Sequence, residues 1–248
     1  IVELQFVEWL RRRLPARLQA SERLPVGVGD DAALLRLPSQ ELVVTTDMLM
    51  DGVDFELAAC GPRRAGRKAL AVNLSDLAAM AARPEAAFIS LALPRDGALE
   101  LAIELFEGII PLAEEFEIAI AGGDTNVWSG ALALSITAIG SLEGRAPWLR
   151  SGARPGDAIL VSGEFGGSIL GRHFDFTPRV REALDAASRF AVHAAIDVSD
   201  GLSLDLSRLA LASGVGAAID LSQIPVSAAA RELAAREVEG ERAAERAL

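Results

Sequence analysis

Seven aspartates stand where ligand-binding side chains are often found: after a strand pattern, in a turn with glycine, or at the end of a short polar run. They are Asp30, Asp31, Asp47, Asp76, Asp124, Asp197 and Asp200. In α/β sheets, ligands collect beyond the carboxyl ends of strands, so the loops of Asp47, Asp124 and Asp197 could converge. Each aspartate taken singly also fits a helix cap or a turn. Taken together, they predict a site for Mg²⁺, which is held by carboxylates, waters and substrate phosphates.

The charge of the chain limits which ligands such a site can bind. The sequence has 248 residues, with 35 acidic side chains against 24 basic ones and a formal net charge of -11. Clustered carboxylates repel one another and any phosphate-rich ligand unless cations compensate them. A divalent metal would bridge the acids to a polyphosphate. The same acid excess argues against a nucleic-acid partner, because a nucleic-acid surface needs clustered cations.

The common catalytic and phosphate-binding motifs are missing. The stretch from Gly61 to Lys68 resembles a phosphate-binding loop only superficially, because no serine or threonine follows the lysine. The two histidines, His173 and His193, are far in sequence from the glycine–aspartate turns, which disfavours a histidine triad or a zinc site. Cys60 is the single cysteine, so the chain has no internal disulfide and no thiolate cluster.

Predicted helices and strands alternate in two α/β blocks, 1–143 and 144–248, joined by a connector rich in glycine, proline and arginine. The predicted helices are 2–14, 99–116, 178–190 and 202–212, with a helical stretch at 69–82 interrupted around 73–76 and a helix-prone tail at 228–248. The predicted strands are 42–46, 87–93, 118–121, 131–139, 158–162, 194–198 and 217–221. Arg150 opens the second block, and its guanidinium could bind phosphate oxygens; the same position also fits a solvated arginine of the connector.

The ends and the hydropathy of the chain predict a cytoplasmic protein without a membrane partner. No apolar run approaches the roughly 20 residues that span a bilayer. The first residues, from Ile1 onward, lack the basic and apolar regions of a signal peptide. A start at isoleucine suggests that the chain has been trimmed.

Six motifs in a fixed order resemble those of thiamine-monophosphate kinase, a family of the aminoimidazole ribonucleotide synthetase-like superfamily. They are Gly29-Asp30-Asp31-Ala32-Ala33, Thr45-Thr46-Asp47-Met48, the run from Asn73 to Met80, Gly122-Gly123-Asp124-Thr125, the run from Arg150 to Asp157, and Asp197-Val198-Ser199-Asp200-Gly201-Leu202. Each motif is short, but the ordered set is specific and covers nearly the whole chain.

The resemblance implies an α/β (α+β) fold of two domains, in which the N-terminal sheet pairs with that of a second subunit in a homodimer. It also implies ATP-dependent phosphorylation of thiamine monophosphate to thiamine diphosphate, for which we hypothesise direct in-line transfer. The residues implied as ligands of several Mg²⁺ ions are Asp30, Thr46, Asp47, Asp76, Asp124, Asp197 and Asp200. Those implied to contact ATP are Gly123, Asp124, Arg150 and Ser199.

Two departures from the family pattern keep other functions open. Asp54 stands where the family usually has a histidine near the substrate, so the resemblance implies that Asp54 is a substrate-binding position. The chain ends before the family's Gly-Glu-Asp-like substrate segment, so the second domain is expected to be incomplete. The alternatives are another ATP-dependent enzyme of the superfamily, or a non-catalytic nucleotide-binding dimeric scaffold. Selenophosphate synthesis is disfavoured because the N-terminal region lacks the cysteine or selenocysteine that would carry it.

Overall fold

The computed structural model describes residues 2–15, 18, 21–28, 32–37 and 41–236. The chain divides into two compact units. The first comprises Ile1–Pro147 and Thr177–Ala191, and the second comprises Trp148–Phe176 and Val192–Leu248. In chain order the elements are α1 (Val2–Arg13), β1 (Leu42–Met50), α2 (Leu57–Cys60), α3 (Pro62–Ala79), β2 (Arg83–Pro94), α4 (Ala98–Glu115), β3 (Ala119–Trp128), β4 (Ala133–Ser141), α5 (Arg172–Asp175), α6 (Val180–Arg189) and α7 (Leu202–Ser213), with 3₁₀ turns at Ser168–Leu170 and Leu221–Gln223.

The first unit is built on a four-stranded mixed sheet in the order β1-β4-β2-β3. The pairs β1–β4 and β4–β2 are antiparallel, whereas β2–β3 is parallel. The predicted strands at 42–46, 87–93, 118–121 and 131–139 are therefore confirmed, and with them the α/β class. Among the described residues, no helix combines the length and the apolar character that crossing a membrane requires.

Helix α4 is the amphipathic helix that the sequence predicts at 99–116. Its buried face includes Ala102, Leu105, Phe106, Ile109 and Ile110, which follow the spacing of a single helical face. Helix α1 packs against this helix: the rings of Phe6 and Phe106 meet edge to face at 5.0 Å, and Arg13 Nε donates a 2.7 Å hydrogen bond to Glu107. Periodicity and packing agree here, so the helix bounds match the prediction closely.

Two glycines allow α3 and α4 to touch through their backbones. A Cβ atom on Gly66 would lie 2.2 Å from the carbonyl oxygen of Leu105, and one on Gly108 would lie 1.9 Å from that of Arg63. Both distances are far below van der Waals contact. Any side chain larger than hydrogen must therefore push the two helices apart.

Gly108→Ala is expected to lower the free energy of unfolding by about 3 kcal/mol, because overpacking outweighs the higher helix propensity of alanine, which is worth about 1 kcal/mol. Urea denaturation followed by circular dichroism measures the change. Gly216→Ala is the matched control, because a Cβ atom there meets nothing within 4 Å, and we expect its stability to stay within about 0.5 kcal/mol of the parent. A Gly108→Ala protein as stable as the parent would contradict the close packing of α3 on α4.

The expected interruption of the helical stretch at Asn73–Asp76 is wrong, because α3 runs unbroken from Pro62 to Ala79. The polar side chains of this run form hydrogen bonds that are compatible with a continuous helix. Asn73 Nδ2 donates to the carbonyl oxygen of Ala69 one turn earlier, and Asp76 accepts a hydrogen bond from Thr45 on β1. One partner within the helix, Ala69, and one outside it, Thr45, therefore stabilise a polar run that the sequence alone predicts to interrupt the helix.

The strands predicted at 158–162, 194–198 and 217–221 are also wrong, since none of these segments forms a strand in the second unit. The backbone N–H of Ala195, in the second of these segments, donates to the carbonyl oxygen of Leu149, and the parallel bridge in the described part of this unit, between Phe165 and Val226, lies outside all three segments. Leu160 is 89% exposed, and Ile159 and Val161 are also exposed. An apolar β-branched segment becomes a strand only when a neighbouring strand pairs with it. The helix predicted at 202–212 is confirmed as α7, and that at 178–190 as α6, which lies in the first unit.

Candidate functional site

Asp47 and Asp124 lie inside strands of the first unit rather than in loops after them. The ladder Asp47–Ile136–Ile89–Gly123 runs straight across the sheet, and Asp124 follows Gly123 on β3. The two aspartates therefore stand at almost the same level on opposite edges, and their side chains lie on opposite faces of the sheet because Asp124 pairs into the row of Met48. Three interstrand spacings separate them, or about 14 Å. A single sheet does not bring both carboxylates to one metal ion.

Asp76 reaches the sheet from α3. The hydroxyl of Thr45 donates a 2.5 Å hydrogen bond to Asp76 Oδ2. Because side chains alternate along a strand, Thr45 and Asp47 share the face of β1 toward α3, whereas Thr46 belongs to the opposite face. There the hydroxyl of Thr137 donates to that of Thr46 at 3.1 Å. Asp76 thus contacts Thr45, a residue that sequence reasoning did not single out although it adjoins Thr46.

Gly123 explains how Asp124 is presented at the sheet edge. A Cβ atom at Gly123 would lie 1.7 Å from the carbonyl oxygen of Ile89, so only glycine permits β3 to approach β2 at the register shift. The exposed carboxylate of Asp124 accepts hydrogen bonds from the backbone N–H of Thr125 and the side-chain amide of Asn126, each at 2.9 Å. Two donors from its own strand orient this carboxylate.

The turn after β1 carries Asp54 and is held by a cation. The carboxylate of Asp54 accepts the backbone N–H of Met50 at 2.8 Å. The ammonium of Lys68 donates to the carbonyl oxygen of Asp54 at 2.6 Å, and burial lowers the pKa of this lysine. The single lysine of the chain is therefore bound to the backbone of Asp54, the position that carries a histidine in the family pattern. Sequence reasoning missed this contact, because Lys68 is 14 residues away along the chain.

In the second unit, the exposed Arg150 stands on a segment that is fixed through its backbone. Its carbonyl oxygen accepts the hydroxyl of Ser213 at 3.0 Å, and the same hydroxyl oxygen accepts the N–H of Ala153. Next to it, the carbonyl oxygen of Leu149 accepts the N–H of Ala195. The guanidinium thus extends from a backbone segment that these hydrogen bonds hold in place.

The far end of the same segment is tied to His193. Nδ1 of His193 lies 2.9 Å from both carboxylate oxygens of Asp157, and Asp157 also accepts the N–H of Arg154. These hydrogen bonds, first that of Arg154 and then that of His193, hold the pKa of Asp157 below its ordinary value. The carboxylate therefore stays ionised and closes the turn between Arg154 and Asp157.

Asp205 organises the loop before α7. It is 1% exposed, and its Oδ2 accepts the backbone N–H groups of Ser199 and Asp200 at 3.1 and 2.9 Å. Arg208 Nη1 donates to both Asp200 and Asp205, at 2.5 and 2.8 Å. The hydrogen bond to Asp200 is the main reason that the pKa of Arg208 is raised. Sequence reasoning missed Asp205 and Arg208; an acid buried in the first turn of a predicted helix is the signal that could have identified the pair.

A cavity of about 560 Å³ lies within the second unit beside the 153–157 turn. Leu202, Leu206 and Leu209 of α7 form part of its lining, and Ile159 and Phe165 contribute from the preceding segment. The lining is mainly apolar. Arg154 and Asp157 at its rim belong to the turn that follows Arg150.

The donor chemistry of the predicted ligands fits Mg²⁺, because carboxylate and hydroxyl oxygens are the ligands of a hard cation. The described part of the chain contains no cluster of three or more His, Cys, Asp or Glu side chains arranged to hold a metal ion. Thr45 with Asp76, Asp124, and the Asp197–Asp200 loop are instead separate groups of oxygen donors. Asp30 lies outside the described residues.

Comparison with protein families matches both halves of the chain. The model of the AIR synthase related protein, N-terminal domain, matches residues 29–142, and that of the C-terminal domain matches residues 154–242. The two matches together include every candidate metal ligand named above, whereas Arg150 lies between them. They assign the two halves to one known pair of domains.

Individual relatives agree with the family models. The chain is 44% identical over 241 residues to the thiamine-monophosphate kinase of Rhodopirellula baltica, and the aligned region covers 94% of this chain and 74% of that protein. The crystal structure of thiamine-monophosphate kinase from Stenotrophomonas maltophilia K279a superposes with a TM-score of 0.79 at 38% identity, over 90% of this chain and 77% of that one. AaThiL complexed with AMPPCP and TMP superposes with a TM-score of 0.71 at 29% identity, over 92% and 75%.

Proposed function

The chain belongs to the thiamine-monophosphate kinase family of AIR synthase related proteins, and from this premise we propose that it phosphorylates thiamine monophosphate to thiamine diphosphate with ATP. The observation that carries the proposal is the 44% identity over 94% of the chain to a thiamine-monophosphate kinase. The complex of AaThiL with AMPPCP and TMP supports an ATP site and a thiamine monophosphate site on this fold. The cytoplasmic location stays a prediction.

We propose that the predicted oxygen ligands hold several Mg²⁺ ions. The ligands are Asp30, Thr46, Asp47, Asp76, Asp124, Asp197 and Asp200, and Thr45 joins them as the neighbour of Asp76. Bound Mg²⁺ would neutralise phosphate charge that the acidic chain otherwise repels. Gly123, Asp124, Arg150 and Ser199 contact ATP in this proposal.

The transfer is direct and in line. A phosphate oxygen of thiamine monophosphate attacks the γ-phosphorus of ATP as the bond from that phosphorus to the β–γ bridging oxygen breaks, and ADP leaves. The attacking oxygen is already ionised near neutral pH, so the reaction needs no general base. This suits a chain with two histidines, of which His193 is engaged by Asp157. Positioning and charge stabilisation supply the catalysis, and the braced backbone of Arg150 serves that purpose.

We propose a homodimer formed through the sheet of the first unit. Val44 and Met48 are 60% and 63% exposed, and they share the face of β1 opposite α3. Among the described residues, β1 and β3 are the edge strands of this sheet, and exposed apolar side chains on a sheet face beside edge strands favour association with another sheet. A second copy of the chain matches both features, since an isologous interface uses the same patch twice.

The dimer also accounts for the placement of Asp47 and Asp124 on opposite edges. If the two sheets curve and join edge to edge around a two-fold axis parallel to the strands, β1 of one protomer lies beside β3 of its partner, and the exposed apolar faces turn toward the axis. The backbones of Asp47 and of the segment that carries Asp124 in the partner subunit would then be one interstrand spacing apart, about 5 Å instead of about 14 Å. We therefore propose that each phosphate-transfer centre uses Asp47 of one protomer and Asp124 of the partner subunit.

The substrate side of the centre includes the turn at Asp54. Its carboxylate is engaged by the backbone N–H of Met50, whereas the ammonium of Lys68 is bound to the turn. A cation beside an anionic substrate is thereby retained although the family histidine is replaced.

Substrate comparison tests the proposed function against the alternatives. With ATP and Mg²⁺, we expect thiamine monophosphate to yield thiamine diphosphate and an equal amount of ADP, measured by chromatography of the thiamine species. Unphosphorylated thiamine should yield no phosphorylated product, because it lacks the attacking phosphate. Product from formylglycinamidine ribonucleotide or from selenide, but none from thiamine monophosphate, would favour another enzyme of the superfamily. Nucleotide binding without any product would favour the scaffold.

A further inference from the structure

We propose that Arg208 acts as a built-in counter-ion that occupies Asp200 until a divalent cation replaces it. The inference rests on the proposed function, in which Asp200 is a magnesium ligand. It assigns a role to two residues, Arg208 and Asp205, that the family resemblance does not include. Both are positioning residues, because they act on the ligand loop and not on the substrate.

Asp205 holds the backbone of the loop that carries Asp200. It is an almost fully buried carboxylate that accepts the N–H groups of Ser199 and Asp200. A buried charge is tolerated only when it is paired and hydrogen-bonded, and these two N–H groups with Arg208 satisfy that need. The backbone of the loop is consequently held in one place whether or not Asp200 is bound to a cation.

Arg208 provides the exchangeable ion pair with Asp200. One nitrogen, Nη1, donates to Asp200 and to Asp205. The side chains of Arg208 and Asp200 are 43% and 50% exposed, whereas that of Asp205 is 1% exposed. Arg208 can therefore give up Asp200 to an arriving cation and keep its bond to Asp205. Because the exchange leaves no buried charge unpaired, its free-energy cost is only the loss of one exposed ion pair.

The exchange predicts a competition between the guanidinium and Mg²⁺. Arg208→Gln removes the competitor, and we expect the dissociation constant for Mg²⁺, measured calorimetrically without nucleotide or substrate, to fall about five-fold, the equivalent of an exposed ion pair. The melting temperature without Mg²⁺ should fall, because Asp205 loses its cation. The stabilisation by saturating Mg²⁺ should be larger than in the parent.

A matched control separates this effect from the general loss of positive charge. Arg236 forms an exposed ion pair with Glu232 in the same unit, and Arg236→Gln should leave the dissociation constant for Mg²⁺ unchanged. Asp205→Asn leaves Arg208 in place but weakens the hydrogen bonds that hold the backbone of Ser199 and Asp200, so it should weaken Mg²⁺ binding. This second variant tests the counter-ion role if Arg208→Gln does not fold.

The outcomes distinguish the inference from the proposed function. Unchanged or weaker Mg²⁺ binding by folded Arg208→Gln, or unchanged binding by Asp205→Asn, overturns the counter-ion role even if the protein phosphorylates thiamine monophosphate. Tighter Mg²⁺ binding by Arg208→Gln in a protein without that activity supports the counter-ion and contradicts the proposed function alone.

Discussion

Asp124→Asn is expected to lower the turnover of thiamine monophosphate at ordinary Mg²⁺ by a hundredfold or more, the order of effect seen when one group that stabilises transferring charge is lost (about 10²–10³). The amide is nearly the same shape as the carboxylate and can still accept the N–H of Thr125. The strand should therefore be preserved while one negative ligand is removed. Steady-state formation of thiamine diphosphate measures the effect, and circular dichroism confirms the fold.

The control for Asp124→Asn is Asp96→Asn. Asp96 is an exposed residue in the turn before α4, so its replacement makes the same change in charge away from the proposed ligands. We expect parental turnover from this variant. Near-normal turnover by Asp124→Asn would refute the assignment of Asp124 as a metal ligand.

A heterodimer of two inactive variants is expected to recover about half of the parental activity per dimer. One protomer carries Asp47→Asn and the other carries Asp124→Asn, and the two are co-expressed with different tags and purified through both. If each centre combines Asp47 of one protomer with Asp124 of the partner subunit, one of the two centres is fully intact and the other lacks both acids. Each homodimeric variant, in contrast, has one acid missing from both centres.

A second dimer, prepared in the same way, serves as the control. A doubly tagged dimer with Asp124→Asn in both protomers should remain inactive, which excludes an effect of the tags or of co-expression. A mixed dimer as inactive as its parents would show that Asp47 and Asp124 act within one protomer, and the shared centre would have to be abandoned. A monomeric protein in light scattering would contradict the dimer itself.

In the first unit, the sequence was sufficient to predict those helices and strands whose formation depends mainly on their own residues. The apolar spacing of α4 matches the face that it buries, so 99–116 and Ala98–Glu115 agree. The strands were found for the same reason. Their lengths were not, because β3 continues through Gly122 and Gly123 by pairing with β2, and that pairing depends on residues more than 30 positions away.

The second unit shows the opposite case. The segments 158–162 and 217–221 have the composition of strands, but a strand exists only when a partner pairs with it, and composition does not report the partner. Leu160, in the first of these segments, is accordingly exposed instead of buried in a sheet. Sequence patterns therefore predicted the helices of the chain better than the extended segments of this unit.

The candidate site was predicted as a set of residue types more than as a set of contacts. The carboxylates were identifiable because aspartates recur in the family motifs. The residues that hold them were not: Thr45, Lys68, Asp205 and Arg208 act through contacts made by folding. Of these, Lys68 and Arg208 are cations beside acidic segments in a chain of net charge -11. Local compensation of charge thus comes partly from the protein itself and, in our proposal, partly from Mg²⁺.

The most direct test of the account is the fate of a label on the γ-phosphate. The protein is incubated with γ-³²P-ATP, Mg²⁺ and thiamine monophosphate, and the thiamine species and the protein are separated and counted. Direct transfer predicts label in the terminal phosphate of thiamine diphosphate, one mole for each mole of ADP formed, and no label on the protein. Label that stays in ATP or is released only as inorganic phosphate, with no labelled thiamine diphosphate, would contradict the central claim.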